Sequence, residues 1–313
     1  MTRSWFERCT YSTLDLDVED LVLRKNAAEL RVSVVLPALN EAETVGAVVA
    51  SVMALHGTLV DEVVVIDGGS TDGTAERATA AGATMYVDSE ILEHLGPGRG
   101  KGDSLWRSLT VTTGDLVVFI DTDIRNPDPK FVWGLLGPLL LDSQVQLVKG
   151  FYSRPLETGG VLHPTGGGRV TELTARPLLN LFWPQLAGLA QPLSGEYAGR
   201  RALLESIPFF TGYGVEIGML IDTLAAVGTD VIAQVDLGER IHRNQPVEAL
   251  ARMAFGVTLV AMRRLAESGR GPHGPLPDRF VQFVREDDGR LALQEHKVEI
   301  IERPPLRHFT AAP

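Results

Sequence analysis

Four consecutive apolar residues, Val117-Val118-Phe119-Ile120, each β-branched or aromatic, run without alternation into Asp121-Thr122-Asp123. A strand that is apolar on both faces has to be covered on both faces, which a chain achieves with a parallel sheet and helices packed above and below it. The run then stops at two carboxylates one residue apart. Neighbouring anions repel and each resists desolvation. The pair therefore either caps a helix and meets solvent, or holds a divalent cation such as Mg²⁺ or Mn²⁺, whose preference is for hard oxygen ligands.

The rest of the chain repeats the pattern. RVSVVLP (31–37), DEVVVID (61–67), Thr84 to Val87 and Val145 to Tyr152 read as strands, with helices predicted through Leu55, Ala81 and Leu109 and around Lys130 to Leu141. Later helices are expected from Val170, over Val215 to Ala226 and over Val247 to Ser268, with a strand at Val231 to Leu237. Strands alternating with helices predict an α/β fold with a mostly parallel central sheet. Right-handed crossovers then collect functional groups at the carboxyl ends of the strands, where Asp67, Asp121 and Asp123 lie. Residues 1–30, polar and mixed with a helix around Leu14 to Leu30, read as an N-terminal arm. Residues 31–153 and 154–268 read as two halves of one domain. Residues 269–313 read as a C-terminal arm, with a hairpin of Phe280 to Arg285 and Lys297 to Ile301 expected in it.

Composition removes several functions. A formal charge of −11 argues against nonspecific nucleic-acid binding, which needs a basic surface. It leaves room for a small anionic substrate, because exposed charges beyond about 8 Å are screened at physiological salt. The single cysteine, Cys9, excludes an intrachain disulfide framework and fits a reducing compartment. No apolar run reaches the roughly 18 to 20 residues of a membrane helix, and no signal-peptide segment opens the chain. The expectation is a cytoplasmic protein without a membrane partner.

Two glycine-rich basic stretches are candidate anion grips. Gly96 to Gly102 carries Arg99 and Lys101 just before a helix, where exposed backbone N–H groups and a lysine favour phosphate. Gly166-Gly167-Gly168-Arg169-Val170-Thr171 allows close backbone approach and adds a guanidinium fork and a hydroxyl. Either could equally be a plain surface loop. Arg240-Ile241-His242-Arg243-Asn244 follows a buried strand, so Arg240, His242 and Asn244 share a side if the extended conformation persists. Glu216 opens a helix beside Tyr213 and is either a first-turn acid or an acceptor for the hydroxyls of a polyhydroxyl substrate. The two phosphate grips and the carboxylate pair together suggest two phosphorylated ligands, or one nucleotide and one phosphorylated acceptor.

The ordered set VVLPALNE (34–41), DGGSTDGT (67–74) and Asp121-Thr122-Asp123 resembles GT-A glycosyltransferases. PGRGKG (97–102), GGGRVTEL (166–173), QPLSGEY (191–197), GYGVEIG (212–218) and His242-Arg243-Asn244 narrow the resemblance to the actinobacterial glucosyl-3-phosphoglycerate synthases and the related mannosyl-3-phosphoglycerate synthases. The likeness runs over about residues 31 to 250. It implies a GT-A fold whose first half, 31–153, binds a nucleotide sugar and whose second half, 154–268, binds the acceptor. It further implies a metal-dependent retaining transfer of glucose or mannose from UDP-glucose or GDP-mannose to the 2-hydroxyl of 3-phosphoglycerate, in a homodimer.

Carried over by position, the resemblance gives Pro37, Ala38, Leu39, Glu41 and Gly68 to the nucleoside. Lys101, Asp121, Thr122, Asp123 and Arg240 go to the diphosphate side, and Leu193, Tyr213 and Glu216 to the donor sugar. Gly168, Arg169, Val170, Thr171 and Asn244 go to the acceptor, and Asp123 with His242 to the metal. Asp123, Lys101, Glu216 and Arg243 carry the catalytic roles. Gly68 stands where a serine is expected beside the base, and Gln245 where an arginine is expected, so base and sugar preference stay open. The competing readings are a sugar-1-phosphate nucleotidyltransferase and a non-catalytic nucleotide-sugar-binding protein. A nicotinamide dehydrogenase is disfavoured, because no G-x-G-x-x-G follows the first strand.

Overall fold

The computed structural model describes residues 2–154, 156–158, 161–163, 168–241, 245–285 and 290–309. Its centre is an eight-stranded sheet in the order Thr10–Ser12, Ile232–Glu239, Leu147–Ser153, Tyr197–Arg200, Leu116–Phe119, Val32–Ala38, Glu62–Asp67, Thr84–Val87. Every neighbouring pair is parallel except those of Tyr197–Arg200, which runs antiparallel to both neighbours.

Strand alternation divides the apolar residues between two cores. Val35, Val117 and Phe119 join one, with Trp106 and Leu109 of the helix Lys101–Val111 and Val257 and Val260 of the helix Val247–Glu267. Val34, Leu36, Val118 and Ile120 join the other, with Val48 and Val49 of the helix Val45–Met53 and Leu135 of the helix Lys130–Leu141. The unalternated run is thus buried on both faces, each large side chain contributing about 1.5–3 kcal/mol. No helix among the described residues is long and apolar enough to cross a membrane.

From Val32–Ala38 the chain steps outward through Glu62–Asp67 to Thr84–Val87, then returns to place Leu116–Phe119 on the other side of Val32–Ala38. Beyond the carboxyl ends of the two strands at this reversal, Val32–Ala38 and Leu116–Phe119, lies a crevice, the usual ligand position in open α/β sheets.

Several elements differ from expectation, among them the helix Thr2–Cys9, the hairpin of Leu156–Thr158 with Val161–His163 and the pair Phe209–Phe210 with Glu302–Arg303, none of which the sequence signals. In the N-terminal arm, Thr10–Ser12 is an edge strand, and the helix begins only at Val18, where the Asp17 side chain accepts from the Glu19 N–H. Tyr197–Arg200 lies in a stretch with no apolar run, and its burial comes from neighbours on both sides. The terminal hairpin forms between Arg279–Arg285 and Leu291–Lys297, so Lys297 ends its second strand instead of opening it. Gly166, Gly167, His242, Arg243 and Asn244 lie outside the described residues.

Candidate active site

The crevice opens into a cavity of about 640 Å³. All the described residues that the sequence singles out for donor or acceptor meet there. Pro37, Ala38, Leu39, Glu41 and Gly68 line one end, Lys101, Asp121, Thr122, Asp123 and Arg240 the floor, Leu193, Tyr213 and Glu216 one wall, and Gly168, Arg169, Val170 and Thr171 another. Thr122 donates to the Pro37 carbonyl at 2.8 Å, which ties the acidic pair to the end of the neighbouring strand.

The floor is an alternating charge network. Lys101 Nζ, at the first residue of its helix, lies 2.5 Å from Asp121 Oδ1 and 3.0 Å from Glu216 Oε1. The Arg240 guanidinium reaches Asp123 Oδ1 at 2.5 Å and Asp121 Oδ2 at 3.3 Å. Beneath it, Arg240 meets Glu196 at 3.2 Å and donates to the Tyr152 hydroxyl, which in turn donates to Glu196 and accepts from Arg154.

Burial alone would push the Asp121 carboxyl up, but Lys101 and Arg240 outweigh it and hold it down at about 2. Asp123 goes the other way: burial raises it, Arg240 only partly opposes, and Asp121 and Glu196 add to the rise. Burial likewise opposes the charge on Lys101, yet Asp121 and Glu216 lift its ammonium well above the usual range. Lys101 is therefore a permanent cation aimed into the cavity.

Gly195 is required by close approach, because a Cβ there would stand 2.0 Å from Asp121 Oδ2. The turn that carries Leu193 closes directly over the acidic pair.

Asp121 and Asp123 present hard oxygen donors, with side chains 23% and 32% exposed at the cavity floor. That donor chemistry fits Mg²⁺ or Mn²⁺. No cluster of three acidic, imidazole or thiol groups capable of holding a metal occurs among the described residues. A cation held by the pair would thus leave coordination positions for ligand oxygens.

The family model for Glycosyl transferase family 2 matches residues 33–145. The glucosyl-3-phosphoglycerate synthase of Mycolicibacterium smegmatis is 48% identical over 308 residues, 98% of each chain. The chain belongs to the glucosyl- and mannosyl-3-phosphoglycerate synthases. Crystal structures of that family agree in fold. The mannosyl-3-phosphoglycerate synthase from Rubrobacter xylanophilus superposes with a TM-score of 0.90 at 43% identity, covering 97% of both chains. The glucosyl-3-phosphoglycerate synthase from Mycobacterium tuberculosis, crystallised with Mn²⁺, UDP-glucose and phosphoglyceric acid, gives 0.82 at 44% identity, covering 95% of this chain and 98% of that one. The fold is GT-A, and the synthase family accounts for the crevice at the strand reversal.

Several lining residues escape a reading by motif. Asp88 and Arg154 line the cavity just past the ends of Thr84–Val87 and Leu147–Ser153, so the strand-end rule applied to every strand would have found them. Ser104, Leu250 and Met253 carry no local signal, because only tertiary packing brings them to the wall. Two strand-end and loop candidates do not line the cavity. Asp67 accepts from the Gly69 and Ser70 N–H groups and the Ser70 hydroxyl, shaping its own turn. Arg99 turns away to Glu299 at 2.7 Å.

Proposed function

We propose that this chain transfers a hexosyl group from a nucleotide-diphosphate sugar to the 2-hydroxyl of 3-phosphoglycerate, retaining the anomeric configuration of the donor. The observation that carries the reading is a single cavity joining the Lys101–Asp121–Asp123 floor and the Glu216 wall to the glycine–arginine segment at 168–171. One end suits a nucleoside and its diphosphate, the other a small phosphorylated acid. The synthases of M. smegmatis and M. tuberculosis, by their names, make glucosyl-3-phosphoglycerate. Neither a nucleotidyltransferase nor a non-catalytic binder is favoured by such relatives.

Pro37, Ala38, Leu39 and Glu41 hold the nucleoside. A Cβ at Gly68 would come nearest the Ala38 carbonyl oxygen, at 3.5 Å, and Leu39, at 3.7 Å, both ordinary van der Waals contacts. Its absence leaves room beside the base, so GDP-mannose is proposed as a donor along with UDP-glucose. Lys101 sits at the diphosphate and stabilises the charge that develops as the C1–O bond breaks. Glu216, fixed by Lys101, accepts from sugar hydroxyls. Arg169 and Thr171, with the Gly168 and Val170 backbone, hold the acceptor phosphate and carboxylate. By resemblance His242, Arg243 and Asn244 complete the metal shell, the diphosphate contacts and the acceptor site.

Asp123 would hold the divalent cation cofactor, Mg²⁺ or Mn²⁺, which when bound would supply Lewis-acid stabilisation to the leaving diphosphate. The acids around the floor are all engaged: Asp121 by Lys101 and Arg240, Asp123 by Arg240, Glu216 by Lys101, Glu196 by Tyr152. None is poised as a covalent nucleophile, which favours front-face attack. The acceptor oxygen bonds to C1 on the face the phosphate leaves, and its proton passes to the departing phosphate oxygen. Positioning carries much of the rate. A homodimer is part of the proposal, supported by an apolar face on the terminal hairpin.

The test is a product assay with 3-phosphoglycerate, Mg²⁺ or Mn²⁺, and UDP-glucose, GDP-mannose and GDP-glucose as donors. Mass spectrometry should find a hexosyl-phosphoglycerate and anomeric coupling in NMR should match the donor's. Inversion would overturn the mechanism. In a parallel incubation of donor with pyrophosphate, nucleoside triphosphate formed by an enzyme that makes no glycoside would overturn the reaction.

A further inference from the structure

Residues 299–309 return from the terminal hairpin to the body of the molecule and attach to two cavity walls that are distant in sequence. The first is the start of the helix Lys101–Val111. Arg303 grips the Asp103 carboxylate with a two-point fork, Nε to Oδ1 at 2.7 Å and Nη2 to Oδ2 at 2.9 Å. Asp103 is fully buried, and its Oδ2 also accepts from the Arg99 backbone N–H at 3.0 Å. One turn on, the Trp106 indole donates to the Pro304 carbonyl at 2.9 Å.

The second wall is the turn that leads into Glu216. Glu302–Arg303 pairs antiparallel with Phe209–Phe210. The Thr211 N–H donates to the Ile301 carbonyl and the Ile301 N–H to the Thr211 hydroxyl, each at 2.9 Å. Thr211 runs directly into the Gly212–Gly214 turn and the helix Val215–Val227. Lys101 belongs to the first wall and Glu216 to the second, and their 3.0 Å ion pair spans the gap.

We propose that the 299–309 segment is a strap that sets the spacing of Lys101 and Glu216, with Arg303 as its positioning residue. The proposal rests on the reading of these two side chains as donor contacts. The fork matters more than the charge. Lysine at 303 would keep a cation beside buried Asp103 but lose the planar two-point grip that fixes the helix start. The strap also meets the helix Val247–Glu267, where Glu302 pairs with Arg264 at 2.8 Å and the Ile300 carbonyl accepts from Arg263 at 3.1 Å, but the Arg303 fork itself closes on Asp103, so its loss falls first on the donor side.

The test uses the full-length enzyme with Arg303→Met and Arg303→Lys, varying each substrate in turn and following amide hydrogen exchange over residues 96–104. Misplacing a reacting group by about an ångström costs about a hundredfold. A fall of about tenfold or more in kcat/KM for the donor is therefore expected in Arg303→Met. The acceptor KM should stay within about twofold of the parent, and Arg303→Lys should fall between. Faster exchange over 96–104 should accompany the loss.

Unchanged exchange there, or a rise in the acceptor KM as large as that in the donor KM, would overturn the strap. Should the methionine variant not fold, the same criteria apply to Arg303→Lys. Lys101→Ala, run alongside, separates the two claims: unaltered donor kinetics in that variant would overturn the donor reading while the exchange result still judged the strap.

Discussion

Lys149 lies in the middle of the strand Leu147–Ser153 and is almost completely buried. Its amine donates to the Ser194 carbonyl at 2.5 Å and sits 4.4 Å from the centre of the Tyr197 ring. Burial pushes it from 10.5 down to about 7, only partly offset by Glu216 and Glu196. The folded state thus favours the neutral amine. That contribution to stability is fully present above the unfolded value of 10.5 and is lost as pH falls to about 7. Measured against Lys149→Met, the wild-type enzyme should gain stability between pH 7 and 10, by up to about 1.4 kcal/mol per unit, and the difference should level off below pH 7. Melting curves of both proteins across that range check this, and a constant difference would refute it. Such a residue also marks the limit of sequence reading. Asp121, Asp123 and Lys101 are legible because an acid at a strand end and a lysine at a glycine-rich helix start signal themselves. Lys149, Glu196 and Tyr152 are not, because their partners come from laterally adjacent strands and turns.

The helix Lys101–Val111 shows the same division at the level of elements. Its glycine-rich lead-in is legible as a candidate phosphate grip, but the structural use of Gly102 is not. A Cβ on Gly102 would lie 1.9 Å from the Phe210 carbonyl oxygen and 2.9 Å from Val215 Cβ. The helix start is pressed against the segment that carries Glu216. Alanine at 102 should favour the helix by about 1 kcal/mol on propensity, yet the clash costs about 1–3 kcal/mol and forces Lys101 and Glu216 apart. Gly102→Ala should melt at a lower temperature and bind donor more weakly, with the acceptor KM held; a thermal melt and two KM values decide it. Most of the alternating strands and helices could be read from hydrophobic runs. Tyr197–Arg200 could not, because an antiparallel strand inserted between two others draws its burial from long-range pairing and not from its own pattern.

For the whole molecule, both arms take part in the fold. The N-terminal arm supplies an edge strand of the sheet, and the C-terminal arm braces the helix start at Lys101. Neither role is visible in two stretches of mixed, mostly polar sequence, since each depends on what the arm meets. The terminal hairpin adds a surface. Residues one apart on its strands alternate between a face against the helix Val247–Glu267, where Phe255 and Phe280 are 5.3 Å apart, and an outward face. The outward face carries Val281, Phe283, Leu291 and Leu293, exposed by 47%, 62%, 60% and 56%. A two-stranded hairpin is marginal in water unless its apolar side is covered, and a grouped apolar patch of this kind marks an interface. A second copy related by a twofold axis would cover like with like. The charge of −11 on each copy opposes this little, because screening at physiological salt removes repulsion beyond about 8 Å. Light scattering should therefore give twice the chain mass of 33.9 kDa, and Phe283→Lys combined with Leu293→Lys should halve it. A double mutant that keeps the doubled mass would move the interface elsewhere, and a wild-type chain that runs at the single mass would remove the dimer.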